Sequence, residues 1–305
     1  MGFDVQGIKF LLAAHRSGVR YNRTAMIGRQ ELFIDPVMLH RLLRRSGLPD
    51  GPAETERLLA EASGYAEPLL RHLGAQQISS VDASHYEQAS LVHDMNNPIP
   101  ESLKSAFSAV VDAGTLEHVF NFPVALKNCM EMVQEGGHLL LMTPANNFMG
   151  HGFYQFSPEL FFRVLSADNG YEVVRAIVCE TSPDAPWYEV VDPAIAGRRV
   201  EMLSSAPVYL FIQARRARKV PVFEVAPQQS DYTVRWQSKA GDRRVDHSSG
   251  PSLPVRAVSG VVRRLGSAYR KVAPKGLQLR RTRPDSTVFK PIEWDCPVSS
   301  IPPKS

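Results

Sequence analysis

Three carboxylates stand just after short apolar runs. Asp82 follows Ile78-Ser79-Ser80-Val81, Asp94 follows Leu91-Val92-His93, and Asp112 follows Ala109-Val110-Val111. Runs this short read as buried strands, and open α/β sheets place ligands at the carboxyl ends of their strands. If the sheet is parallel, the three acids converge on one crevice. Each alone is also an ordinary strand-end or turn residue. His118, His151 and Tyr154 lie after the fourth and fifth apolar runs. Imidazole titrates near neutrality, so either histidine suits general-base work on a hydroxyl or an amine. The plainer alternative is that His118 caps the helix that follows and His151 pins its loop. Asn146, Asn147, Gln155 and Ser157 enrich that loop in neutral donors and acceptors. Such a composition suits a polar, hydroxyl-rich ligand such as a sugar or glycan precursor, and equally a self-bonded loop. Phe148, Phe153 and Phe156 read as loop anchors.

The elements that must position these residues alternate. Strands are predicted over residues 24–27, 77–81, 90–93, 109–111, 139–142, 171–180 and 207–214. Helices are predicted over 31–45, with Leu32, Val37, Leu39, Leu42 and Leu43 on the buried side, over 54–73 with a new start at Pro68, over 122–133, and over 158–165 with Ser157 as N-cap. Gly136-Gly137 closes the third of these. Strands alternating with helices argue an α/β fold with a mostly parallel sheet covered on both faces. Residues 181–206, carrying Trp187, Tyr188, Arg198 and Arg199, interrupt the last two strands, either as a substrate lid or as a surface loop with its own small core.

The run from Asp112 through Gly114-Thr115-Leu116-Glu117-His118-Val119, then a helix, Gly136-Gly137 and Leu139-Leu140-Leu141-Met142-Thr143-Pro144, resembles the second half of class I S-adenosylmethionine-dependent methyltransferases. The resemblance implies a Rossmann-like, seven-stranded, mostly parallel sheet with helices on both faces, closed by an antiparallel pair. It implies S-adenosylmethionine as cofactor, with Asp82 on the ribose diol, Asp94 on the adenine amino group, and Asp112 facing the methionine part or the substrate. The activity implied is methyl transfer to a small polar or glycan-like acceptor, with His118, His151 or Tyr154 as base. The chain departs from the family after its first strand. The glycine-rich turn expected there is replaced by Gly28-Arg29-Gln30, and Asp82 comes 54 residues after Gly28, against roughly 20 in dinucleotide-binding βαβ units. Two readings stay open. Arg29 clamps the cofactor's carboxylate through a bidentate contact, with Gly28 beside it. Alternatively, the cleft binds no cofactor and the chain is a scaffold. The missing turn also argues against a nicotinamide dinucleotide.

The chain has 305 residues, 44% hydrophobic and 22% charged, which is globular composition. No run approaches the ~18 apolar residues of a membrane helix, and no signal peptide is legible, so the cytoplasm is the default compartment. Cys129, Cys179 and Cys296 are unclustered, which speaks against a disulfide framework or a cysteine zinc site. The net charge of +4 divides unevenly: residues 215–305 carry a net +12 and the preceding 214 a net −8. The expected organisation is a helical lead-in over 1–23, a catalytic body over 24–214, and a basic, partly disordered extension over 215–305. Within the extension, Val255, Val258, Val262, Leu265, Tyr269 and Val272 recur at helical spacing among basic residues. The predicted helix over 254–272 would lie on an anionic membrane, dock a protein partner, or pack on its own domain. The extension lacks a nucleic-acid fold motif, so no specific nucleic-acid partner is expected.

Overall fold

The computed structural model describes residues 2–48, 51–232 and 284–295. The strands are β1 (Gly2–Phe3), β2 (Arg23–Ile27), β3 (Glu31–Leu32), β4 (Gln77–Asp82), β5 (Leu91–Val92), β6 (Phe107–Ala113), β7 (Val133–Asn146), β8 (Tyr171–Glu180), β9 (Trp187–Val190), β10 (Val208–Arg216) and β11 (Phe289–Ile292). The helices are α1 (Val5–Arg16), α2 (Pro36–Arg45), α3 (Pro52–Ala62), α4 (Glu67–His72), α5 (Phe122–Met132), α6 (Pro158–Val164) and α7 (Pro193–Ala196).

β2 and β6 are buried almost throughout, so both faces of their sheet need cover. Alternation along the strands divides the core in two. Ala25, Ile27, Val110, Leu139 and Leu141 belong to one apolar cluster with α5 and α6. Met26, Ala109, Val111, Leu140 and Met142 belong to the other, with α1, α2 and α4. Nine strands pair in the order β11-β9-β8-β10-β7-β6-β2-β4-β5. From β7 to β5 the neighbours run parallel. In chain order these five strands read third-second-first-fourth-fifth from the β5 edge, a doubly wound arrangement whose switch point lies between β2 and β6. β10 runs antiparallel to both β7 and β8, which is the closing pair the resemblance implies.

The expected count of seven strands is corrected to nine in this sheet, with a separate parallel ribbon of β1 and β3. Two features of tertiary packing add the strands. Trp187 in the 181–206 insertion is buried, and its indole N–H donates to Gln6 Oε1 of α1 at 2.7 Å, which holds β9 in place beside β8. Residues 289–292 then pair with β9 from far along the chain. The helix predicted over 31–45 starts five residues late. Asp35 caps its first turn and Pro36 occupies the first helical position, while Glu31 and Leu32 pair with β1. Val37, expected on the buried side, is 70% exposed. Gly136 and Gly137 do not end α5. That helix stops at Met132, and the glycines lie where the register between β6 and β7 shifts between Val133 and His138. The predicted 254–272 helix lies outside the described residues. Among the described residues no helix is long and apolar enough to cross a membrane.

Candidate active site

The carboxyl ends of β5, β4, β2, β6 and β7 share one rim of the sheet, and the polar residues singled out above stand along it. At the switch point Thr115 Oγ1 donates to Ile27 O at 2.6 Å, and the Gln30 amide donates to both groups. Gly28 N donates to Val81 O at 2.7 Å, which ties the turn across to β4. Arg29 donates to Glu67 Oε1 at 2.8 Å and to Glu87 O at 3.1 Å, and it lies 3.8 Å from the Tyr65 ring centre. Its guanidinium is therefore engaged by three groups of this chain. Asp82 accepts from Ser84 N at 3.2 Å. Asp94 accepts from Asn96 N, Asn96 Nδ2 and Asn97 Nδ2, and the Asn96 bonds hold its carboxyl below the usual range. Asn121 and Asn128 tie the same turn to α5.

Asp112 is fully buried at the end of β6. Its Oδ1 accepts from Thr115 N at 3.1 Å, and its Oδ2 has no partner among the described residues. Desolvation and the nearby Glu117 push its carboxyl well above the ordinary range. Beyond it, a cavity of about 180 Å³ opens between the ends of β6 and β7 and the start of the chain. Gly114, Glu117, Thr143, Phe148, His151 and Tyr209 contribute to its wall.

Glu117 forms the polar floor of this cavity. It is 1% exposed, lies 3.3 Å from His151 Nε2 through Oε1, and leaves Oε2 without a partner among the described residues. Burial raises its carboxyl to about 7. His118 packs edge-on to His151 with ring centres 5.0 Å apart, and burial together with His151 lowers its pKa. The loop after β7 is folded back to hold His151 there. Phe153 N donates to Glu117 O at 2.8 Å, Phe148 N to Gln155 Oε1 at 2.8 Å, and Asn147 Nδ2 to Ser204 O and Ala206 O. Gly152 permits the approach: its φ is +71°, and a Cβ there would lie 2.8 Å from Glu117 O.

The structure thus brings His151 to the cavity wall, His118 against His151, and Asp112 two residues before the lining Gly114. Gly28, Arg29 and Asp82 stand along the rim over β2 and β4, and Asp94 lies beyond β5. Tyr154 stands apart. Its hydroxyl donates to Phe120 O at 2.7 Å, its ring packs on Phe122 and Phe156, and it does not line the cavity. His118 does not cap α5, whose N-cap is Asn121. Phe156 is buried in the core, whereas Phe148 lines the cavity and stacks on Tyr209. The 181–206 insertion contributes none of the cavity's lining. Sequence reasoning passed over Glu117. Its position between Leu116 and His118 was visible, but its burial was not, because an acid defaults to solvent.

No family model matches the chain, and no curated protein sequence does. Among solved structures it is similar to a 1,6-didemethyltoxoflavin-N1-methyltransferase of Burkholderia thailandensis, solved with 1,6-didemethyltoxoflavin and S-adenosylhomocysteine. The identity is 10% and the TM-score 0.39, over 70% of this chain and 78% of that one. An S-adenosylmethionine-dependent methyltransferase of Thermotoga maritima gives 16% identity and a TM-score of 0.33, over 68% and 91%. A branched-chain polyamine synthase of Thermus thermophilus gives 12% and 0.35, over 73% and 59%. Function is read from this chain's own side chains.

Proposed function

We propose that this chain transfers a methyl group from S-adenosylmethionine to a small polar acceptor, such as a sugar or glycan precursor, bound in the 180 Å³ cavity. The observation that carries the reading is where the cavity lies. It opens at the carboxyl ends of the fourth and fifth strands, beside the switch point of a doubly wound sheet, with the buried Glu117 in its lining.

The rim's acceptors suit a cofactor that is cationic at its sulfur and amino group and offers donors from its ribose and adenine. Asp82 has acceptor capacity for the ribose diol. Asp94 keeps a second lone pair on the oxygen that accepts only from Asn97, which suits the adenine amino group. Asp112 Oδ2 and Gln30 Oε1 are buried without partners among the described residues. Leaving such atoms unsatisfied costs about 1–3 kcal/mol each, and a cationic group arriving at the switch point would relieve it. Arg29 would reach the cofactor's carboxylate only by leaving Glu67. When bound, the cofactor supplies an electrophilic methyl carbon.

The chain's own work is to align the acceptor and take its proton. His151, at the cavity wall, receives that proton. Glu117 behind it stabilises the imidazolium formed. Burial lifts the Glu117 carboxyl to about 7, and its Oε1 lies 3.3 Å from His151 Nε2. His118 packs against His151.

Calorimetric titration of the full chain with S-adenosylmethionine tests the reading. Saturable binding is expected, weakened at least tenfold in Asp82→Ala and retained in Tyr154→Phe. His151→Ala should keep cofactor binding and slow transfer to the acceptor by about a hundredfold or more. Absence of saturable binding into the millimolar range would overturn the proposal and favour a scaffold that docks a partner or anionic membrane through residues 254–272.

A further inference from the structure

We infer that Glu117, His118 and His151 form a binding site for a divalent first-row transition metal ion. One carboxylate oxygen of Glu117 and one ring nitrogen of each histidine lie within 4.8 Å of one another. Two imidazoles with one carboxylate are a donor set that suits zinc, iron, cobalt or manganese. Magnesium and calcium prefer oxygen ligands throughout.

Three observations separate this cluster from a chance meeting of polar groups. Glu117 is 1% exposed and leaves Oε2 unpartnered among the described residues, so a buried acceptor stands at the cluster uncompensated. The arrangement is also built. The Phe153–Glu117 backbone bond, the close approach at Gly152 and the Asn147 anchors bring a histidine over an acid 34 residues earlier in the chain. Finally, Glu117 and His151 line the cavity, so a cation held by the cluster would keep coordination positions for an incoming ligand.

Metal–nitrogen and metal–oxygen bonds of about 2.1 Å put two donors of a tetrahedral site about 3.4 Å apart. A donor pair at the full 4.8 Å span would close by about 1.4 Å on binding. His118 and His151 have exposed faces and can rotate inward. In use, the cation would bind the acceptor's oxygen and ease loss of its proton to solvent; this takes the place of His151 as base, since a ring nitrogen on the metal accepts no proton. That use rests on the methyl-transfer reading, whereas the site itself rests only on the cluster.

The test is titration of the metal-stripped full chain with Co²⁺, read by ligand-field absorption and by calorimetry, with Zn²⁺ as competitor. One ion per chain is expected, displaced by Zn²⁺, with affinity reduced at least tenfold in His118→Ala and again in His151→Ala. Both side chains are exposed, so these variants should fold, and circular dichroism checks it. No saturable binding, or binding indifferent to both substitutions, would overturn the inference. S-adenosylmethionine binding measured separately in chelator distinguishes the two claims. Cofactor binding without cobalt binding sinks the metal site alone, and cobalt binding without cofactor binding sinks methyl transfer alone.

Discussion

Gly152→Ala should destabilise the protein by considerably more than Gly150→Ala, although both glycines sit in one loop with positive φ. Gly150 has φ +86° with nothing within 4 Å of an added Cβ. Its substitution carries only the left-handed backbone cost, about 1–2 kcal/mol. Gly152 has φ +71° and the same cost, but its Cβ would sit 2.8 Å from the Glu117 carbonyl oxygen. Relieving that overlap costs a further ~1–3 kcal/mol, and separating the strands of the loop weakens the Phe153–Glu117 hydrogen bond by about 1 kcal/mol. The two variants should therefore differ by about 2–4 kcal/mol, with the backbone contribution cancelling between them. Urea unfolding at one pH measures both, and m-values equal to wild type would certify a common reference state. A difference below about 0.5 kcal/mol, within the error of extrapolation, would refute the view that this approach is tight and that it holds His151 over Glu117.

Two further outcomes follow from burial. Asp112 is raised well above its ordinary 3.8 in the fold. The folded chain therefore holds its proton more tightly than the unfolded one, and stability falls as pH rises from about 4. Asp112→Asn removes that fall, so its melting temperature relative to wild type should climb between pH 4 and 8; a constant offset would contradict the assignment. Phe289→Ala removes a side chain 2% exposed in the core and should cost about 3–5 kcal/mol. A loss under 1 kcal/mol in chemical denaturation would mean that residues 284–295 do not hold to the sheet.

Six strands, β2, β4, β6, β7, β8 and β10, were legible from apolar runs of their own: β8, predicted over 171–180, forms over that range, whereas the run at 90–93 pairs only over the two residues of β5. Ser157 and Pro158 marked the start of α6 for the same local reason, a side-chain cap and a fixed φ. Two-residue strands such as β1 and β3 have no period to detect, since their pairing is decided wholly by a partner 29 residues away. β11 hid for another reason. Pro291 argues against a central strand, and β11 lies at the end of the strand order, where proline is tolerated. At the site, the strand-end acids could be found by counting from apolar runs. The meeting of Glu117 with His151 could not, because it depends on a loop folding back through Gly152.

The pairing of β11 with β9 has a consequence for synthesis. More than seventy residues separate β10 from β11. A nascent chain that has completed everything through β10 still presents β9 as an open edge, with unpaired N–H and C=O groups and the surface around Trp187 uncovered. At ribosomal rates of 5–20 residues per second, about 4–15 seconds pass before the covering strand emerges. During that interval, association with another chain competes with completion of the fold. The covering strand carries Lys290 and Pro291, which in turn make a poor template for any further strand once it is in place.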